Sequence, residues 1–210
     1  MAESNDNQKR VTIALGFVNC NQSQDKRGSD MLCVAGGAVT GPRSGSKSMA
    51  VLTTPVPLSS DDGNEFDSAE SVIFDNNIYI DDFIELGLQF RRASDDYSNN
   101  YFAANRSAVL SALTADIGTA LDSLSTSVEY AVSGAVLSAT SLALAKAPAF
   151  NEHGVLGVVQ KRLNVADYPD DNSGPCIWKF ADRCPANSDG LRWSEYDYEI
   201  EYTIEVGPAR

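Results

Sequence analysis

The last strand-like segment of the chain places the strongest constraint on its fold. Charged or polar side chains alternate there with six apolar ones, which are Tyr196, Tyr198, Ile200, Tyr202, Ile204 and Val206. Successive side chains of a strand point to opposite faces, so one face of this strand lies on a core and the other faces water. The chain must therefore contain an antiparallel sheet that is buried on one side.

Other segments indicate more strands of this kind. Residues 10–20 alternate apolar and polar side chains, residues 31–34 predict a short second strand, and residues 155–165 predict a late one. Residues 82–92 predict a half-buried strand in which Glu85 lies opposite the apolar face. The sequence is thus mainly β.

Glycine, proline and asparagine suggest where these strands end. Residues 36–48 are rich in Gly and Ser and predict a loop, and Asn76-Asn77 predicts a turn. The two prolines within residues 49–58 would place that strand at a sheet edge, because proline lacks the N–H that a central strand donates.

One long segment, residues 106–147, breaks the β pattern. It is rich in Ala and Ser, and its apolar residues recur at steps of three and four, at Leu110, Leu113, Ile117, Leu121, Leu124 and Val128. Ser107 suits the start of a helix, Pro148 ends it, and a break near residues 123–127 would give a helical hairpin. We expect a helical insertion that either covers the sheet or contacts another surface.

Length and charge limit the class of protein. The 210 residues, 43% of them hydrophobic, suit a disordered tail over residues 1–9 and a single domain over residues 10–210. The net charge of -13 repels nucleic acid and anionic lipid. The first ten residues lack the apolar core of a secretory signal peptide, so we expect a soluble protein made without one.

The four cysteines form two pairs that are close in sequence, Cys20 with Cys33 and Cys176 with Cys184. Their spacings are not those of zinc sites, and His153 is the one histidine. Two interpretations stay open. The thiols are reduced and partly buried, or each pair forms a local disulfide, for which Cys176 and Cys184 are the better candidates.

No motif predicts an enzyme. Residues 41–48, GPRSGSKS, differ from a phosphate-binding loop at Ser46, and the prolines that follow rule out the helix which such a loop requires. His153 lies in a polar segment without a nucleophile motif, so it predicts a surface residue.

Several features together resemble a group of bacterial and fungal C2-like β-sandwich domains. They are the strand ending at Cys20, the residues Gly28-Ser29-Asp30 before a second strand, the segment VIFDNNIYIDDFIELGLQF, the Ala/Ser-rich insertion and a late Asp-rich turn. The resemblance is one of pattern over about residues 10–207. It implies an antiparallel β-sandwich of C2-like type with a helical insertion.

The resemblance also suggests a calcium site, because C2 domains that bind Ca²⁺ place aspartates on loops at one end of the sandwich. The candidate ligands here lie on three loops and are Asp25, Asp30, Asp95, Asp96, Asp167, Asp170 and Asp171. Calcium takes six to eight oxygen ligands, which these loops can supply. Aspartate is also common in turns for local reasons, and that alternative stays open.

From the sequence we expect a non-enzymatic binding or assembly module in which the acidic loops bind Ca²⁺ and the helical insertion contacts a protein partner or a membrane. One alternative is a toxin-like, membrane-active protein whose helical hairpin enters lipid. Another is a structural subunit of a larger homo-oligomer.

Overall fold

The computed structural model describes residues 7–22, 30–41, 43–56, 64–65, 71–93, 106–115, 131–145, 155–168, 175–184 and 194–209. The strands are β1 (Gln8–Gln22), β2 (Asp30–Thr40), β3 (Lys47–Val56), β4 (Asn64–Glu65), β5 (Val72–Tyr79), β6 (Phe83–Ala93), β7 (Val155–Asn164), β8 (Pro175–Cys184) and β9 (Ser194–Pro208). Residues 106–115 are helical and are called α1, and the second described helix is α2 (Ala131–Ala145).

The strands form two antiparallel sheets, which confirms the expectation of a mainly β chain. Sheet A has the order β4-β1-β9-β8, with β5 also paired to β1, and sheet B has the order β3-β2-β6-β7. The proline-containing strand β3 lies at an edge of sheet B, as its sequence predicts.

Side chains of both sheets share one hydrophobic core. Strand β9 contributes Tyr198, Ile200, Tyr202, Ile204 and Val206, every second residue, as its alternation predicts. The facing side chains from sheet B include Leu32, Val34, Ile84, Leu86, Leu88 and Phe90. This alternation fixes which face of each strand points inward and which points outward.

Strand β7 is the outermost described strand of sheet B beyond β6. Its Lys161 pairs across the sheet with Leu86, a core residue, so this lysine points to the inner side. Its Nζ donates a hydrogen bond of 2.9 Å to Tyr202 Oη of sheet A. Lys161 therefore connects the two sheets at this edge.

Two predicted interruptions are not present. Gly36 belongs to β2 rather than to a loop, and a Cβ at this position would lie 2.0 Å from the carbonyl oxygen of Gly87, at a φ of +150°. Asn76 and Asn77 lie within β5, where they pair with Val11 and Arg10 of β1. In both places pairing with a distant strand outweighs the local preference for a turn.

The ends of the predicted segments also differ in detail. Strand β1 begins at Gln8, within residues 1–9 that the sequence assigns to a tail. Helices α1 and α2 lie within residues 106–147, which the sequence assigns to a helical insertion, while the expected break at residues 123–127 lies outside the described residues.

Of the two interpretations of the cysteines, the one with two local disulfides is wrong. Cys33 is a free, buried thiol, so it is not bonded to Cys20. Cys176 and Cys184 occupy the two ends of β8. Eight residues of extended chain span roughly 26 Å, whereas a disulfide needs Cα atoms within about 7 Å.

Candidate contact surface

The outer face of sheet B, which points away from sheet A, carries α2. Cross-strand pairs on this face join β2 to β6 and are Cys33 with Arg91, Ala35 with Gln89, Gly37 with Gly87 and Val39 with Glu85. Helix α2 contacts β6, β2 and β7. Among its described side chains, the buried ones are Val136, Ala139, Thr140 and Leu144, and none of these belongs to the core shared by the two sheets.

Gln89 joins the sheet to the helix. Its Nε2 donates hydrogen bonds to the carbonyl oxygen of Leu137, at 3.2 Å, and to Ser141 Oγ, at 2.5 Å. Farther toward the start of the helix, Gly134 lies close to Gln160 of β7, whose Nε2 would be 3.7 Å from a Cβ placed on the glycine. The hydrogen bonds of Gln89 and the close approach of Gly134 to β7 therefore help to hold the helix on the sheet.

Glu85 is fully buried on this outer face, where the sequence predicts a side chain in water. Arg162 of β7 lies opposite, and its Nε and Nη2 both donate to Glu85 Oε1, the former at 2.8 Å. The Arg162 guanidinium also lies 4.0 Å from the centroid of the Phe83 ring. The sequence correctly predicts strand β6. It places Glu85 in water, however, whereas the structure buries this residue on the outer face of sheet B.

Cys33 and Arg91 form a second buried polar pair on this face. Burial raises the pKa of the Cys33 thiol, and the positive charge of Arg91 opposes this shift in pKa. Burial lowers the pKa of Arg91, whose Nε and Nη2 donate to Gln89 Oε1 at 3.3 and 3.2 Å. A chain of contacts therefore runs from Cys33 through Arg91 and Gln89 to helix α2.

Parts of helix α2 and of strand β7 remain exposed. Leu142 of α2 is 57% exposed, Val158 of β7 is 50% exposed, and Val155 is exposed as well. Val158 is the cross-strand neighbour of Gln89, which in turn bonds to Ser141 beside Leu142. We call Leu142, Val155 and Val158 the α2–β7 surface.

The glycine-rich segment after β2 is held by an acidic side chain. Asp82 Oδ2 accepts hydrogen bonds from the backbone N–H and the hydroxyl of Ser44, each at 2.6 Å. A Cβ on Gly41 would lie 2.6 Å from Asp82 Oδ1, so the loop approaches this carboxylate closely. The backbone N–H of Ser44 therefore already donates to Asp82, whereas in a phosphate-binding loop such an N–H donates to the phosphate of the ligand.

The expected calcium ligands are mostly beyond the described residues. Asp25, Asp95, Asp96, Asp170 and Asp171 lie outside them, and Asp30 begins β2 without a described side chain. Asp167 is exposed and accepts a hydrogen bond of 3.0 Å from Asn164 Nδ2. Among the side chains that are described, no three His, Cys, Asp or Glu residues lie together as a metal site.

Comparison with known proteins finds no matching family model and no matching curated protein. Within the described parts of the chain, neither helix is long and apolar enough to cross a membrane.

Proposed function

We propose that this chain is a non-enzymatic binding and assembly module, and that its α2–β7 surface contacts a second copy of the chain. The observation that supports this most is the exposed Leu142 on a helix without charged residues, together with the exposed Val155 and Val158 of β7. Helix α2 contains no acidic or basic residue, although the chain as a whole carries a net charge of -13.

Charge and shape make this surface suitable for self-association. Two copies of a strongly acidic chain repel each other, and the repulsion costs least where they meet through uncharged groups. Interface cores are depleted of charged residues in the same way. The exposed side of α2 carries the small residues Ser138 and Ser141 next to Leu142, which allows another element to approach closely.

Molar mass measured by light scattering across a concentration series tests the proposal. We expect mass to rise with concentration, and we expect Leu142→Glu or Val158→Glu to lower the association constant by at least about tenfold, because each places a charge in an apolar contact. Val72→Glu is the matched control, since Val72 is 42% exposed but lies on sheet A.

A mass of one chain at every concentration would contradict self-association. The toxin-like alternative is then tested by dye release from liposomes. Release that is lost in Leu142→Glu and kept in Val72→Glu would favour membrane activity over assembly.

The finer fold and the calcium dependence are separate parts of the proposal. We propose that the two sheets form a β-sandwich of C2-like type, which the shared core of sheets A and B supports. Calcium dependence rests on the loop aspartates of the sequence, since the described side chains do not form a calcium site. No step of the assembly proposal requires the ion.

A further inference from the structure

We propose that helix α2 is a releasable cover, which leaves the outer face of sheet B while the two sheets stay folded. This inference concerns the buried side of α2 and goes beyond self-association through its exposed side. It follows from what the helix covers and from how little apolar surface fixes it there.

The sheet face beneath the helix offers few apolar contacts. Gly37 and Gly87 are cross-strand neighbours without side chains, and Ala35 pairs with the polar Gln89. Leu32 and Val34 of β2 and Leu86, Leu88 and Phe90 of β6 point instead into the shared core, to which no described residue of α2 belongs. Hydrophobic stabilisation scales with buried apolar area. The described buried apolar residues of α2 are Val136, Ala139 and Leu144, so the helix is held more weakly than β9, which places five residues in the shared core.

A charged group on the same face lowers the cost of release. Arg91 is buried there and donates to Gln89, which in turn donates to Leu137 and Ser141 of α2. Burial removes water from a charged group, and its hydrogen bonds offset that loss only in part. When the cover leaves, Arg91 regains water, whereas opening the shared core would expose apolar side chains without such compensation.

Release would change what the molecule presents. The freed helix would expose Val136, Ala139 and Leu144, which the closed form buries. The sheet would expose polar side chains that include Gln89 and Arg91. The closed form would thus keep an apolar helix face out of contact with partners.

Cys33 provides a probe of this opening. It lies on the covered face at only 1% exposure and is connected to α2 through Arg91 and Gln89. The rate of Cys33 alkylation is measured by peptide mass spectrometry over a series of urea concentrations below the unfolding transition. Peptide resolution separates Cys33 from the other three cysteines and leaves the natural sequence intact.

We expect Cys33 to be alkylated at least about tenfold faster than global unfolding allows, with a rate that depends little on urea. Opening of one helix exposes much less surface than unfolding, and the urea dependence scales with the surface exposed. Alkylation with the same urea dependence and the same equilibrium constant as global unfolding would overturn the proposal.

Two serines of the same helix supply a matched pair of variants. Ser141→Ala removes the hydrogen bond from Gln89 Nε2, and we expect it to raise the alkylation rate about fivefold, the change that corresponds to a net hydrogen bond of about 1 kcal/mol. Ser138→Ala removes only a bond within the helix, to the carbonyl oxygen of Gly134, and should leave the rate unchanged. Equal rates in both variants would contradict a helix held by Gln89. Failure of this test would not change the dependence of molar mass on concentration measured for Leu142→Glu. Release of α2 and self-association through its exposed side can therefore fail independently.

Discussion

Arg162 and Glu85 face each other across β7 and β6, and both Nε and Nη2 of the arginine donate to the same carboxylate oxygen of a fully buried glutamate. The arginine side chain is 19% exposed, so the pair joins a buried acid to a base at the border of the covered face. The pair lies on the side of sheet B that an isolated sheet would expose to water.

We expect Arg162→Ala to lower the free energy of unfolding by about 3 kcal/mol, because a buried carboxylate loses its principal cation. Urea unfolding followed by circular dichroism measures the change. Arg43→Ala is the control, since it breaks an exposed ion pair with Asp81 and should cost about 1 kcal/mol or less. Equal losses of unfolding free energy in the two variants would show that the buried pair of Arg162 and Glu85 stabilises the fold no more than the exposed pair of Arg43 and Asp81.

Gly36→Ala should destabilise the protein by about 2–4 kcal/mol, because its Cβ would meet the Gly87 carbonyl oxygen at 2.0 Å in a backbone conformation that L residues rarely adopt. Gly207→Ala has open space around the added carbon and should change stability by less than about 1 kcal/mol. Thermal unfolding of both variants checks the difference. A Gly36→Ala protein as stable as the natural one would mean that β2 and β6 separate here at little cost.

Stability should fall as the pH rises above about 8.5, the ordinary pKa of a thiol in an unfolded chain. Burial raises the pKa of Cys33 in the folded protein, so the unfolded state loses its proton first and becomes more favourable with increasing pH. The contribution of one such thiol is at most about 1.4 kcal/mol per pH unit.

Urea unfolding between pH 7 and 10 tests this in the natural protein and in Cys33→Ala. The other three cysteines remain in both proteins, so the difference in slope belongs to Cys33. If the free energy of unfolding falls equally steeply with pH in both proteins, the Cys33 thiol does not stay protonated in the folded state.

Asp82→Ala should cost about 1–3 kcal/mol, because the N–H and hydroxyl of Ser44 lose their acceptor. Ser44→Ala keeps the backbone N–H on Asp82 but removes the hydroxyl that accepts from the Tyr79 N–H at 3.0 Å, so we expect a cost in the same range. Amide hydrogen exchange of residues 43–46 should accelerate more in Asp82→Ala than in Ser44→Ala. The reverse order would mean that the serine hydroxyl, rather than the carboxylate, orders this loop.

The sequence predicts much of the sheet structure, because alternation of side chains reports directly on a face that is buried. Strands β7 and β9 and the inward face of β6 follow from it. Burial of Glu85 does not, because it depends on residues that are remote in sequence, such as Arg162 of β7, and alternation describes a strand without its neighbours. For the same reason the Ala/Ser-rich segment 106–147 predicts helix but does not specify which side of α2 meets the sheet.

Calcium dependence is tested by thermal unfolding in Ca²⁺ and in EGTA. If the loop aspartates bind the ion, the midpoint rises with Ca²⁺ concentration, since a ligand that binds only the folded state stabilises it by mass action. Asp170→Ala combined with Asp171→Ala should abolish the rise, whereas Asp75→Ala, which removes an acceptor of Arg10 on sheet A, should preserve it. A midpoint that is the same in both buffers would limit these aspartates to a role in turns.

The inward-pointing Lys161 has a consequence for how copies of this chain can add to one another. A foreign strand placed alongside β7 would enclose the lysine ammonium, which now sits near the margin of the core with Tyr202 Oη as its acceptor. Loss of hydration would make such end-to-end growth costly, and edge strands protected in this way resist building fibrils. Contacts through helix faces carry no such penalty, so we expect copies of this protein to associate through α2 rather than by adding strands to β7.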